Sequence, residues 1–199
     1  MVFNEVTSLP DEALPVEEFR AHLRLGTGFG QETLQDEVLV AFLRAAIAAI
    51  EGQTGKSLII REYDMIVSAW LDPMAQPLPI APITTLGELV LIDRDGIETP
   101  VDSVEFALKL DMSRPVLRPV GARLPLIPLI GSARLRFKAG LAAEWRELPA
   151  DLGQAVLLLA AYYYEQRSES GGGGGWMPYG VTSLLRRFRN VRLSARSVQ

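Results

Sequence analysis

The sequence predicts an α+β fold: a four-helix body, two N-terminal and two C-terminal helices, with a small β-rich insert between helices 2 and 3. Three observations predict it. Apolar residues recur at helical spacing in the first 56 residues. From Ser57 the pattern changes to β-branched and aromatic runs broken by proline and glycine. Helical spacing returns after Pro149. These changes divide the 199 residues into N-terminal helices (1–56), a β-rich insert (57–145) and a C-terminal part (146–199). The last part holds two helices, a glycine run and a basic tail, and completes the helical body. With 48% hydrophobic residues the chain can bury a core.

Each element follows in order. In "LPVEEFRAHLRL", Pro15 suits a first helical turn and Glu17 and Glu18 suit the positive helix end, while Phe19, Leu23 and Leu25 form an apolar stripe. "GTGFGQ" ends that helix. A longer helix, about 33–52, repeats Leu34, Val38, Phe42, Ala45, Ala46, Ala49 and Ile50. Its second half is apolar almost all round, which predicts burial on more than one side. "SLIIREYDMIVSAWL" reads as a strand and "DPMAQPLPIAPI" as a loop. "LGELVLIDRDGIETPV" reads as a strand, an Asp95-Gly96 turn and a return strand. "VEFALKL" and "PVLRPV" are further short strands.

In "SARLRFKAG", Leu135 and Phe137 face one way and Arg134, Arg136 and Lys138 the other. That cationic face is either a solvated sheet surface or a contact for a charged partner. The segment 122–132, "ARLPLIPLIGS", is apolar but broken by Pro125 and Pro128, so it reads poorly as a core strand. Its Leu124, Leu126, Ile127 and Leu129 either meet a partner or pack inside the insert. Pro149 and Asp151 open the third helix, whose run from Ala155 to Tyr164 is apolar on every side. Such a helix lies in a bundle core or between subunits. After Gly171–Gly175, "VTSLLRRFRN" forms a last short helix. Phe19, Leu23, Val38, Phe42, Ile50, Leu158 and Tyr163 are expected to share the helical core. The chain beyond Ser168 is expected to be mobile and dispensable for folding.

Composition excludes several chemistries. There is no cysteine, which removes disulfides, thiolate metal sites and cysteine nucleophiles. The one histidine, His22, sits within a helical pattern. "GTGFGQ" lacks the lysine of a phosphate loop and joins two helices, and Asp93 and Asp95 are explained by their turn. No catalytic constellation emerges, so the chain is read as a binding protein and not an enzyme, with no cofactor or metal expected. The amino end lacks the basic start and apolar run of a secretory signal, and the apolar helix is too short to span a bilayer. A soluble protein without a membrane partner is expected.

Charge is polarised along the chain. Residues 1–55 hold nine acids against three arginines, whereas residues 176–199 hold five arginines and no acid. The basic end could meet nucleic acid, an acidic partner, or the acidic end of an identical subunit. Trp176, Met177, Tyr179 and Phe188 provide aromatic and thioether anchors, and Arg186, Arg187, Arg189 and Arg192 provide bidentate donors. A frayed, solvated tail is the plain alternative.

The order of these pieces resembles the head–tail connector (adaptor) proteins of long-tailed bacteriophages and phage-derived gene transfer agents. The likeness is carried by a strand ending at Phe137, Ala139 and Gly140, followed by a proline-led helix with Pro149, Ala155, Leu158, Leu159, Ala160, Ala161, Tyr163, Tyr164, Glu165 and Arg167. Pro178, Tyr179, Gly180, Leu184, Leu185, Arg186 and Arg187 follow, and Arg20, His22, Leu23 and Arg24 match the opening helix. The five-glycine run and the residues beyond the terminal arginine depart from the family pattern. The resemblance implies a non-enzymatic ring, commonly of twelve subunits, below the capsid portal. Such a ring extends the channel for packaged double-stranded DNA and offers a platform to a stopper or tail-completion protein. It implies a place in the neck of a virion or gene transfer agent particle, after synthesis in the bacterial cytoplasm. On this reading Trp176, Met177, Tyr179, Leu184, Leu185, Arg186, Arg187, Phe188, Arg189 and Arg192 meet the portal or a neighbouring subunit. Leu124, Leu126, Ile127 and Leu129 face the tail. A nucleic-acid-binding module using the arginine-rich tail is the alternative.

Overall fold

In a computed structural model, residues 1–25, 32–167 and 177–189 are described. Among the described residues, eight strands form two antiparallel sheets and four helices pack beside them. The first sheet has the order β1 (Val2–Glu5), β2 (Arg61–Val67), β8 (Ser132–Ala139), β4 (Ile83–Ile92), β5 (Glu98–Pro100). The second has β3 (Gln76–Pro77), β7 (Val116–Pro119) and β6 (Phe106–Lys109). The helices are α1 (Val16–His22), α2 (Glu32–Thr54), α3 (Ala150–Gln166) and α4 (Tyr179–Leu185).

This corrects the expected four-helix body with a small β insert. The chain is sheet-rich, and β1 enters the sheet from ahead of the first helix. Two of the four helices are only seven residues long, too short to stand as bundle members without tertiary support. β1 escaped the sequence reading because four residues carry too little alternation to detect. Its extended form comes from pairing with β2, and from Phe3 stacking on Tyr63 at 5.2 Å between ring centroids. Strand alternation holds in β2 and β8. Tyr63 opposes Phe137 and Met65 opposes Leu135, so these side chains share the buried face of the first sheet. Phe106, Leu117, Leu78 and Leu124 join them in one core.

A second core lies in the helical layer. In α2, Leu39, Leu43, Ala46, Ile47 and Ile50 form a buried stripe at helical spacing. It packs with Leu152, Ala155, Val156 and Leu159 of α3, Phe19 of α1, and Val181 and Leu185 of α4. Of the expected shared core, Phe19 and Ile50 are buried, and Leu23, Phe42, Leu158 and Tyr163 are half-buried. Val38 is exposed, because it lies about 100° around α2 from Leu39. α2 ends where Gly55 takes a positive φ of 67° and its N–H reaches Glu51 O at 2.8 Å. Gly140 permits close backbone approach: a Cβ there would sit 2.4 Å from Ile60 Cα.

Arg61 joins helices to sheet. Its guanidinium is buried beside Glu51 of α2, bonds Glu5 of β1 at 2.8 Å and Ser57 Oγ at 3.2 Å, and lies 5.6 Å from the Tyr63 ring centre. Ser57 Oγ and the Tyr63 hydroxyl are 2.8 Å apart, and burial pushes that hydroxyl's pKa up to about 12. Glu51 also accepts the Leu58 N–H at 2.8 Å, and burial pushes its carboxyl up against the opposing pull of Arg61. Buried Arg20 similarly ties α1 to Asp36 of α2.

Among the described residues no helix is long and apolar enough to cross a membrane. The expectation that everything beyond Ser168 is loose is also corrected, because α4 buries Val181 and Leu185 against α3. Leu185→Ala should therefore lower unfolding free energy by about 2–5 kcal/mol in urea denaturation. Truncation before Met177 should lower the melting temperature, and an unchanged melting curve would remove α4 from the core. Arg61→Ala should cost about 3–5 kcal/mol by stranding Glu51. Adding Glu51→Leu should recover much of that loss.

Candidate interaction surfaces

The C-terminal flank is built on α3. Pro178 precedes α4, and a 3₁₀ turn at Arg186–Phe188 follows it. Leu185 is 0% exposed and belongs to the chain's own core, while Met177, Leu184 and Phe188 are half-buried against it. Tyr179 is 80% exposed, and Arg186, Arg187 and Arg189 project outward. Arg187 Nε lies 3.1 Å from Asp151 Oδ2, and its guanidinium covers the Phe188 ring at 4.7 Å. Beside this turn runs a groove of about 920 Å³ between α2, α3 and α4. Ala49, Leu159, Tyr162, Tyr163 and Met177 line it, with Arg189 at one side. Burial raises the pKa of the Tyr163 hydroxyl. Of the residues expected at this surface, Trp176 and Arg192 lie outside the described residues, as does the glycine run.

The second surface is one end of the five-stranded sheet. Leu126 and Leu129 are 77% and 88% exposed, and Ile130 is exposed in the left-handed region at φ 61°, rare for a β-branched residue. Leu124, by contrast, is 2% exposed and packs in the sheet core, and Ile127 packs partly against it. The apolar segment is thus part core and part exposed surface. Trp70 Nε1 donates to Pro125 O at 2.7 Å, and Leu124 N–H donates to Pro73 O at 2.8 Å. These bonds bring the loop between β2 and β3 alongside, adding exposed Leu71 and Met74. The sequence reading missed both, since a proline-punctuated loop gives no sign of which loop it will lie against.

The third surface is the charged face of the sheet. Arg136 makes two 2.8 Å bonds to Asp64, directly opposite on β2. Arg134 reaches across β4 to make two 2.8 Å bonds with Glu98. Lys138 is exposed opposite Glu62. Bidentate pairing commits these guanidinium groups to carboxylates of the same chain. The hydrogen bonds from Arg136 hold the Asp64 carboxyl below its ordinary value and raise the Arg136 pKa.

The opposite flank of the helical layer carries acid. Trp145 Nε1 donates to Glu18 of α1, and Glu12, Glu144 and Arg146 line the same cleft. Trp145 was also missed, because its partner lies 127 residues away. His22 is exposed at the end of α1. Among the described residues no three His, Cys, Asp or Glu side chains are grouped to hold a metal ion.

No family model and no curated protein sequence matches the chain. Solved structures do. The chain is 50% identical to a chain in the neck of an empty gene transfer agent (GTA) particle computed with C6 symmetry, with a TM-score of 0.88. It is 50% identical to one in the virion of a native gene transfer agent particle, with a TM-score of 0.85. It is 47% identical to one in the neck of a native GTA particle computed with C12 symmetry, with a TM-score of 0.84. In each case 98% of both chains is covered.

The Asp64–Arg136 pair sets a pH test. Because the folded carboxyl titrates below its ordinary 3.8, its contribution is present above that value and is lost as pH falls through the folded one. Asp64→Asn should cost about 0.5–1.5 kcal/mol near neutrality. Its difference from the parent in urea denaturation should narrow as pH falls below 3.8, and a gap that stayed constant on acidification would contradict the pairing.

Proposed function

The chain belongs to the family of gene transfer agent neck proteins, and we propose that within the neck it is the head–tail connector (adaptor) ring below the portal. The identity of about half the residues over 98% of both chains carries this reading, because it spans the whole architecture and not one motif. The C6 and C12 symmetry of the related necks supports a ring oligomer. The relatives are structural particle components, which supports a non-enzymatic role.

On this proposal the ring extends the DNA channel from the portal and presents a platform for the stopper or tail. The helical layer faces the portal, with the C-terminal flank meeting the portal or a neighbouring copy. The sheet end faces the tail, where Leu126 and Leu129, joined by Leu71 and Met74, offer an apolar tip. Exposed apolar clusters of this kind mark protein contacts. The paired charges of the sheet face suit proximity to passing DNA. Arginines already bonded to carboxylates release few counterions and hold phosphate weakly.

Deleting the gene should yield filled heads without tails by electron microscopy, with tailed particles restored by the intact gene. Tailed particles lacking this protein would overturn the proposal. Replacing Leu126 and Leu129 together with Asp should leave the melting temperature unchanged but block tail joining. Normal tail joining by that variant would remove the sheet end from the interface.

A further inference from the structure

The groove beside α4 and the acidic cleft beside α1 belong to one contact. We propose that the groove is the seat of a second copy of this chain, whose α1 flank docks there head to tail. The inference rests on the reading of the chain as a ring subunit, and names the surfaces that would close the ring.

Geometry puts the two surfaces on opposite flanks of α3. Asp151 meets Arg187 on the α4 side at 3.1 Å. Gly153 faces the ring of Trp145, where a Cβ would lie 3.6 Å from Cζ2, and Trp145 bonds Glu18 of α1. Two residues along a helix is a rotation of about 200°, so the turn carrying Arg186, Arg187 and Arg189 and the cleft of Trp145 with Glu12, Glu18, Glu144 and Arg146 lie on opposite sides of α3. A subunit with unlike, opposed flanks closes a ring by heterologous contact, the geometry that rotational symmetry about one axis requires.

The surfaces also match in chemistry. The groove has an apolar floor of Ala49, Leu159 and Met177, with Tyr162 and Tyr163 alongside and Arg189 at one side. Large half-exposed aromatics of this kind anchor interface centres. Arg189 lines the groove and Arg186 is exposed in the turn after α4, while the opposite flank offers exposed Glu12, Glu17 and Glu18. Charge complementarity sets direction and register, and apolar burial supplies affinity.

The absence of cysteine makes a direct test available, since introduced thiols are unique in the chain. Tyr179→Cys and Glu12→Cys, both at exposed positions, are combined in one chain and purified particles are treated with a short bis-maleimide. The double variant should give a ladder of multimers on a denaturing gel, and each single variant only monomer. A double variant present in particles but wholly monomeric would overturn the inference, as would a Tyr179→Cys adduct with a different protein such as the portal. Absence of the parent chain from purified particles would instead overturn the neck reading itself. A charge exchange gives the second measurement. Arg186→Glu with Arg189→Glu, and separately Glu12→Arg with Glu17→Arg, should each reduce incorporation into particles at least tenfold. Co-expressing the two should restore it, because alternating copies recover complementary flanks. Failure of the mixture to recover would overturn the inference.

Discussion

A guanidinium leaves water only where carboxylates and hydrogen-bond acceptors meet it, and Arg61 is placed under that constraint at the junction of helices and sheet. It heads β2, yet its partners come from the end of β1 and the last turns of α2. Glu51 serves two masters, the Arg61 guanidinium and the Leu58 N–H, so the turn leaving α2 and the start of β2 are set by one carboxylate. Ser57 and Tyr63 extend the network. The two apolar cores lie on either side of this joint, and each needs the other's backbone held in place. A pair of buried charges is a poor source of net stability, but it is demanding about geometry. Here that demand orients the helical layer against the sheet.

The same layer explains how one segment can be both core and surface. α4 is too short to persist alone, so it buries Val181 and Leu185 on α3. That anchoring turns Tyr179 and the arginines outward from a rigid support. An interface built on a packed helix keeps its geometry, whereas the same residues on a loose tail would have to be ordered when a partner binds.

Pairing of charges governs the sheet in a similar way. Arg134 and Arg136 look like a basic stripe in sequence, but Glu98 and Asp64 arrive beside them from other strands. A face that binds itself has little left to bind a polyanion. This weighs against a module that grips nucleic acid.

Local periodicity alone determined the long helices, the Asp95-Gly96 hairpin and the alternation of β8, because each depends on neighbours within a few residues. The order of these pieces also carried the resemblance to neck proteins, and the polarity of charge along the chain was plain from composition. Tertiary structure decided what depends on distant partners. Val2–Glu5 became a strand only by pairing with β2, and the sheet outgrew the insert expected for it. Leu124 went to the core while Leu126 went to solvent, because Trp70 and Pro73, far away in sequence, hold that loop by two hydrogen bonds. The arginines of β8 were neutralised by acids 36 and 72 residues away. Sequence specifies which groups a chain owns, but burial and pairing are properties of pairs of groups, and a pair exists only once the backbone has brought its members together.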